Sequence, residues 1–213
     1  MSTPVTRRGR PPKTSLEDIV DKAVELMARE PEKDLSLNAI AKALGITPMA
    51  IYRYASDRDE LMEAVADRML RDFNPEIPDQ PWQSQIRHWA FATRDYFLAN
   101  PALFTIIGWQ QHIASAWLAQ IAILARILAQ TGRTDERLAD TVQWVSTTVM
   151  SVILMEIASK RSGSRVSMSD VDKLPAEDAA LVRSLMRHLL KKNARTVFTE
   201  CVENMILTIE VSQ

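Results

Sequence analysis

Residues 36–62 read SLNAIAKALGITPMAIYRYASDRDELM, and their apolar, capping and turn residues predict two short helices followed by the start of a third. The first helix, 36–44, has apolar residues on one face at helical spacing. Ser36 is a suitable N-cap, because its hydroxyl can accept a hydrogen bond from a backbone N–H of the first turn. We expect Gly45 to end this helix, since a C-terminal turn often needs a residue that tolerates positive φ.

The second helix is expected over 48–54. Thr47 is its predicted N-cap, and Pro48 takes the first helical position, where a missing N–H costs nothing. The helix displays two tyrosines and one arginine with few acids nearby: Tyr52, Arg53 and Tyr54. A helix, a glycine turn and a second helix form the helix-turn-helix unit, whose second helix enters the major groove of DNA.

The same stretch resembles the TetR family of transcriptional regulators. The resemblance is carried by Ala41, Leu44-Gly45-Ile46, Ile51-Tyr52, Tyr54 and Asp59-Glu60-Leu61. It covers about the first 60 to 70 residues at motif strength. Beyond them it is a resemblance in layout.

This resemblance implies two sets of DNA contacts within the helix-turn-helix. Base contacts are implied for Asn38, Pro48, Met49, Ala50 and Tyr52. Phosphate contacts are implied for Ser36, Tyr54 and Arg58, and Thr47 and Arg53 complete the candidate DNA-binding residues. Few of the base-contacting side chains can form hydrogen bonds, so we expect DNA shape to contribute to recognition.

The N-terminal arm is strongly basic, although the whole chain has a net charge of −1. Residues 1–14 hold Arg7, Arg8, Arg10 and Lys13 and no acid. Local charge matters more for DNA binding than the total. The run RRGRPPK, residues 7–13, resembles the core of an AT-hook, in which arginines enter the narrow minor groove of A·T-rich DNA. The alternative is a disordered basic tail that binds phosphates without preference.

Helical periodicity dominates the whole chain, and we predict an all-α protein with two domains after the disordered arm 1–14. A three-helix head over 15–73 contains the helix-turn-helix. Residues 74–81 hold three prolines and mark the boundary, because proline does not continue a helix. The second, helical domain is expected over 82–213. Its predicted helices are 82–99, 101–112, 115–131, 135–161, 177–192 and 193–210, and 162–176 is predicted to be a flexible loop.

All five tryptophans lie in the second domain, between Trp82 and Trp144. The family resemblance implies an effector cavity in this domain, and such cavities are mostly apolar with a few polar groups. The candidate lining residues are Trp109, Gln110, His112, Trp117, Trp144, Thr148 and Met155. The alternative for each of them is an ordinary place in the core.

Helices 135–161 and 193–210 are apolar on more than one face, which requires burial on two sides. We therefore expect them to contact both the core and a second subunit. The family resemblance implies a four-helix dimer bundle built from two such C-terminal helices of each chain. Glu156 lies in the apolar stretch of the first of these helices and needs a partner, which the sequence does not identify.

The sequence offers no sign of catalysis or of metal binding. The three histidines and Cys201 are far apart, and no nucleophile elbow, dinucleotide motif or P-loop is found. We expect no enzyme activity and no cofactor. One cysteine fits a reducing cytoplasm, and the absence of a signal peptide or an uninterrupted apolar span of about 18 residues predicts a cytoplasmic protein that binds no membrane.

These features predict a homodimeric, sequence-specific transcriptional regulator that binds an operator in double-stranded DNA. We expect a repressor that a small hydrophobic effector releases from its operator. An alternative is an effector-free or partner-regulated DNA-binding protein whose second domain serves dimerisation. An enzyme with an incidental helix-turn-helix is a third possibility, and it would need perturbed titratable groups in a cleft.

Overall fold

The computed structural model describes residues 14–30, 35–107, 115–162 and 168–212. The regular structure within these ranges is helical throughout, as the sequence predicts. Its helices are α1 (Leu16–Arg29), α2 (Leu37–Leu44), α3 (Pro48–Ile51), α4 (Arg58–Arg71), α5 (Trp82–Ala99), α6 (Leu103–Ile107), α7 (Ser115–Ala129), α8 (Asp135–Ser162), α9 (Met168–Val171), α10 (Ala176–Leu189) and α11 (Ala194–Val211).

The head consists of α1 to α4, and α1 packs against both α2 and α4. α1 begins in a capping box, in which the Ser15 hydroxyl accepts from the Asp18 N–H at 3.1 Å and the Asp18 carboxylate accepts from the Ser15 N–H at 2.8 Å. The Ser15 backbone N–H and hydroxyl both donate to the Asp18 carboxylate, and these two bonds lower the pKa of Asp18. The apolar faces of α1 and α4 are fully buried at Ile19 and Leu61. Side-chain caps thus fix the starts of α1, α2 and α4, and a shared core holds the head together.

The second region is built around four long helices. α5 packs on α7, α8 and α11, and α8 packs on α7 and α11. Large side chains from several of these helices are fully buried between them: Trp89, Phe97, Leu124, Val145, Ile153, Phe198 and Val202. Burial of this much apolar surface is the main force that holds such a bundle together.

α4 joins the head to the second region, because it packs on both α6 and α7. The side-chain amide of Gln120 on α7 donates to the backbone oxygen of Phe73 at 2.6 Å. The Phe73 and Tyr96 rings stack with their centroids 4.6 Å apart, and the Tyr96 hydroxyl donates to the Met69 backbone oxygen. One continuous apolar core therefore runs from the head into the bundle.

The structure differs from the sequence prediction at several helix ends. Helix α3 stops at Ile51 instead of residue 54, because the following N–H groups form short-range bonds, such as Tyr54 N–H to Ile51 O at 2.8 Å. α6 starts at Leu103, two residues later than predicted, and 108–114 lie outside the described residues. The predicted loop 162–176 contains the short helix α9. Residues 72–81 contain no helix.

Helix α8 is long and apolar enough to cross a membrane by length and composition alone. Core helices of soluble proteins pass the same test. Here one face of α8 is buried in the bundle at Val145, Val149 and Ile153. The helix also carries Glu156, which is buried in an ion pair. One apolar face of α8 therefore packs against the other helices of this chain.

Candidate nucleic-acid interface and ligand region

The turn between α2 and α3 is fixed by Gly45. Its φ is +67°, in the left-handed region that glycine tolerates best, and its N–H donates to the backbone oxygens of Ala41 and Lys42. The Ile46 N–H also donates to the Ala41 oxygen at 3.0 Å. These bonds satisfy the last carbonyls of α2 and set the direction in which α3 leaves the turn.

Helix α3 is held by one buried side chain and presents others to solvent. Ile51 is 1% exposed and anchors the helix in the head core. Met49 and Tyr52 point outward and are 73% and 46% exposed. Pro48 and Ala50 are half-buried. A helix with this arrangement can insert its exposed side chains into a DNA groove while its buried side chain stays packed in the core.

Thr47 occupies the N-cap position of α3, but its hydroxyl forms no capping bond. The predicted N-cap position is therefore confirmed, whereas the side-chain bond expected of such a cap is absent. The Ala50 N–H, which such a cap would bind, instead donates to the Thr47 backbone oxygen at 2.9 Å. The Thr47 side chain is exposed and takes no part in this turn.

The two tyrosines of the predicted recognition segment have different surroundings. Tyr52 is exposed, whereas Tyr54 is half-buried and packs against the head core. Arg53, between them, is exposed. Tyr54 therefore stabilises the head by packing on its core, in addition to the phosphate contact predicted for it.

The candidate phosphate contacts Ser36 and Arg58 lie at the beginnings of α2 and α4. The Ser36 hydroxyl accepts from the Ala39 N–H at 3.1 Å, which leaves its own proton free to donate. Arg58 is exposed and forms no ion pair in the described part of the chain. Helix N-termini carry partial positive charge, so both positions suit an anionic phosphate. Asn38, the remaining candidate on α2, is exposed.

Two acids next to Arg58 are used for local structure. The Asp57 carboxylate caps α4 by accepting from the Glu60 N–H at 2.8 Å. Hydrogen bonds from the Ser56 side chain and backbone hold Glu60 and lower its pKa. The arm residues Arg7, Arg8 and Arg10 lie outside the described residues.

The candidate ligand-binding residues do not share one environment. Trp117 is half-buried and meets the Phe97 ring edge-on at 5.9 Å. Trp144 and Thr148 instead line an open groove of about 370 Å³ between α8 and α11, and Met155 is 71% exposed. Trp109, Gln110 and His112 lie outside the described residues. The outward-facing residues of α8 are thus separate from the Trp117 cluster.

Two buried polar atoms in the described residues have no hydrogen-bond partner, the Trp89 indole nitrogen and the Gln120 side-chain oxygen. Trp89 is 1% exposed and Gln120 is 3% exposed. An unpaired buried polar atom costs about 1–3 kcal/mol. The sequence does not mark either residue as a binding residue. A buried tryptophan N–H usually has a hydrogen-bond partner, and this rule is the one signal that could have drawn attention to Trp89.

The other buried polar side chains are all hydrogen-bonded. Gln85 bonds to Gln80 and Gln130, and Thr93 bonds to the Trp89 backbone oxygen. Arg94 pairs with Glu156, and Arg133 donates to the Ile209 oxygen. Among the described residues, no group of three or more His, Cys, Asp and Glu could hold a metal ion.

The head and much of the chain are similar in sequence to known proteins. Residues 19–65 match the family of bacterial regulatory proteins described as the tetR family. The HTH-type transcriptional repressor DrrR1 of Streptomyces coeruleorubidus is 22% identical over 167 residues, which are 78% of this chain and 62% of DrrR1. The chain thus spans less than two thirds of the length of this relative.

Solved structures share this fold over 71–94% of the chain. The Streptomyces coelicolor TetR family protein ActR in complex with actinorhodin has a TM-score of 0.78 at 21% identity, over 94% of this chain and 98% of ActR. BioQ with its double-stranded DNA operator has a TM-score of 0.61 at 24% identity, over 71% of this chain and 93% of BioQ. Residues 19–65 thus match the tetR family, and the chain as a whole shares the fold of ActR.

Proposed function

We propose that this chain is a DNA-binding transcriptional repressor that works as a homodimer in the cytoplasm. A small hydrophobic molecule bound in the second region releases it from its operator. The presentation of α3 is the observation that carries DNA binding. Ile51 fixes the helix in the core while Met49 and Tyr52 project from it, behind a turn fixed by Gly45.

The exposed side chains of the head suit a limited direct readout. The Tyr52 hydroxyl and the Asn38 amide can form hydrogen bonds with base edges, and Met49 can contact a thymine methyl group. Ser36 and Arg58 supply phosphate contacts at two helix N-termini. The arm with Arg7, Arg8 and Arg10 adds contacts in an A·T-rich minor groove.

The outer faces of α8 and α11 support the homodimer. On α8, Trp144 is 41% exposed and Met155 is 71% exposed, and on α11, Leu207 is 56% exposed. Leu154 on α8 and Val197 and Val211 on α11 are also exposed. Exposed apolar patches of this kind mark interfaces. A two-fold dimer presents two heads to half-sites about 34–36 Å apart, one turn of DNA.

The polar groups of the bundle interior support an uncharged effector. The buried charges of Arg94, Glu156 and Arg133 are all hydrogen-bonded, and residues 95–125 contain no arginine or lysine. The free Trp89 N–H can donate to a ligand oxygen, and the free Gln120 oxygen can accept from a ligand hydroxyl. ActR, with the same fold, holds actinorhodin in its solved complex.

The contact of α4 with α6 and α7 supports coupling between ligand and DNA. Gln120 bonds to the Phe73 oxygen two residues after α4, so a ligand that draws the Gln120 side chain away acts directly on the end of that helix. Such a ligand releases DNA only if it binds the released state more tightly than the DNA-fitting state.

Selection of DNA sites in vitro with the purified protein tests this function. We expect enrichment of a two-fold symmetric site, and loss of its binding in Tyr52→Ala but not in Arg126→Ala, an exposed arginine on α7. A screen for compounds that release the best site follows. Recovery of no common sequence would refute sequence-specific binding, and a cavity-free second region would favour an effector-free regulator.

A further inference from the structure

We infer that Met49 is a site of reversible oxidation, through which a peroxide lowers the affinity of this protein for its operator; this rests on the proposed DNA binding by α3. Met49 occupies the second position of α3, directly after Pro48. Its side chain is 73% exposed, whereas Ile51 is 1% exposed and holds the helix in the head core. The Met49 sulfur is therefore open to solvent whenever the head is free of DNA.

The reaction is a two-electron oxidation of the Met49 sulfur by hydrogen peroxide. The sulfur lone pair attacks one peroxide oxygen, and the O–O bond breaks. The departing oxygen takes the proton of the transferred oxygen and leaves as water, so the sulfur is oxidised and the peroxide is reduced. The product, methionine sulfoxide, is polar, and methionine sulfoxide reductases return it to methionine. The change is therefore reversible.

Exposure favours Met49 over the other methionines. Among the methionines whose side chains the structure describes, only Met49 and Met155 are exposed. Met155 is 71% exposed, but it lies on the outer face of α8 that we assign to the dimer surface. Burial hinders access of an oxidant to a side chain. In the homodimer, Met49 is therefore the described methionine that a peroxide reaches most easily.

The single cysteine of the chain is less suited to this oxidant. Cys201 is half-buried on α11, and burial raises the pKa of its thiol. The thiolate is the form of cysteine that attacks an oxidant, so a raised pKa leaves less of the reactive form at neutral pH. These surroundings favour Met49 over Cys201 as the group that links a peroxide to DNA binding.

Oxidation changes what Met49 presents to a base pair. Methionine offers an apolar contact, for instance to a thymine methyl group. The sulfoxide oxygen accepts hydrogen bonds, and against a methyl group it loses water without gaining a bond. A homodimer carries Met49 in both heads, so both half-sites lose the contact. Because bound DNA covers the sulfur, peroxide acts on the free protein and hinders its return to the operator.

The test compares operator dissociation constants of the full chain before and after treatment with hydrogen peroxide, measured by fluorescence anisotropy. We expect treatment to weaken wild-type binding about tenfold or more. Methionine sulfoxide reductases for both sulfoxide epimers should restore it. Peptide mass spectrometry assigns each sulfoxide to its residue. Unchanged binding by protein in which Met49 is fully oxidised would overturn the inference.

Three variants identify the responsible sulfur, and the untreated affinity of each variant is its own reference. Met49→Leu removes the sulfur and keeps an apolar side chain, so its dissociation constant should no longer respond to peroxide. Met155→Leu is the matched control, because Met155 is almost as exposed as Met49. Met155→Leu and Cys201→Ala should respond as the wild type does. A response that persists in Met49→Leu, or that is lost in either control, would overturn the assignment.

Thermal unfolding separates this contact from general damage by peroxide. Because Met49 is exposed, its oxidation should leave Tm unchanged. If treatment lowers Tm, untreated Met49→Gln decides instead, since its polar side chain should bind the operator more weakly than Met49→Leu does. Equal affinities of these two variants would overturn the inference. An untreated wild type that selects no DNA site refutes the proposed function as well, whereas tight binding that ignores Met49 oxidation refutes this inference alone.

Discussion

The Arg94 guanidinium binds both carboxylate oxygens of Glu156 inside the bundle, with Nε–Oε2 and Nη2–Oε1 distances of 2.9 and 2.8 Å. Arg94 on α5 is 6% exposed and Glu156 on α8 is 5% exposed. The guanidinium also lies over the Phe198 ring of α11. A single buried pair thus ties three helices in one register, next to the proposed dimer surface.

Removal of one partner of this pair should be strongly destabilising. We expect Arg94→Met to lower the free energy of unfolding by about 3–5 kcal/mol, because it leaves the Glu156 charge buried with only the exposed Lys160 nearby. The double variant Arg94→Met/Glu156→Met should recover much of this loss. Denaturant unfolding measures both, and a double variant less stable than the single one would contradict the explanation.

The control is Arg87→Met, which removes the similar bidentate pair between Arg87 and Glu203. These side chains are about 40% exposed, so we expect a loss of at most about 1 kcal/mol. The hydrogen bond from Arg87 lowers the pKa of Glu203. Its stabilisation is therefore present above the ordinary glutamate pKa and is lost as pH falls through the lowered value. The difference between Arg87→Met and the wild type should shrink at acidic pH.

The glycine turn should matter for DNA binding beyond its effect on stability. Gly45 has φ +67°, and a Cβ added to it would meet no atom within 4 Å, so Gly45→Ala should cost about 1–2 kcal/mol of backbone strain alone. Gly132→Ala, with φ +80° and equal space, should cost a similar amount. We expect only Gly45→Ala to weaken operator binding in fluorescence anisotropy. Equal losses of operator binding in the two variants would mean that Gly45→Ala weakens binding only by lowering the stability of the protein.

The sequence predicted the helices well where capping and periodicity are local. α5 begins and ends at the predicted residues 82 and 99, and Ser36 and Gly45 delimit α2. Features that depend on three dimensions were not predictable. The partner of Glu156 is 62 residues away in the chain, and the side-chain cap of Thr47 is replaced by a backbone bond. Likewise, periodicity did not distinguish the inner face of α8 from the outer face that carries Trp144 and Met155.

The two tyrosines should behave differently on mutation. Tyr52→Ala should leave the unfolding free energy nearly unchanged and alter base preference at one position of each half-site, because its side chain is exposed. Tyr54→Ala should destabilise the head as well as weaken binding, since this ring packs on the core. Tyr54→Phe keeps the packing and isolates the hydroxyl. Thermal unfolding and site selection on the three variants provide the measurement, and a marked stability loss in Tyr52→Ala would contradict this assignment.

Arg58 should contribute one phosphate contact. We expect Arg58→Ala to reduce the salt dependence of operator binding by about 0.9 per head in the slope of log K against log [salt], without changing the preferred sequence. Arg53→Ala, an exposed neighbour in the turn after α3, serves as a comparison. Titrations at several salt concentrations give the slopes. An unchanged slope together with altered base preference would reassign Arg58 to base recognition.

The unpaired indole N–H of Trp89 predicts a limited effect on stability and a larger effect on effector binding. Trp89→Phe removes a buried donor that has no partner, so its loss of packing should be offset in part and the protein should remain folded. The affinity for an effector that accepts from this N–H should fall about tenfold or more, and a higher effector concentration should be needed to release the operator. Trp82→Phe, at a half-buried position, is the control. Calorimetry and operator-release titrations provide the two readouts. Equal effector affinity in Trp89→Phe and wild type would show that this N–H is satisfied by water and not by the ligand.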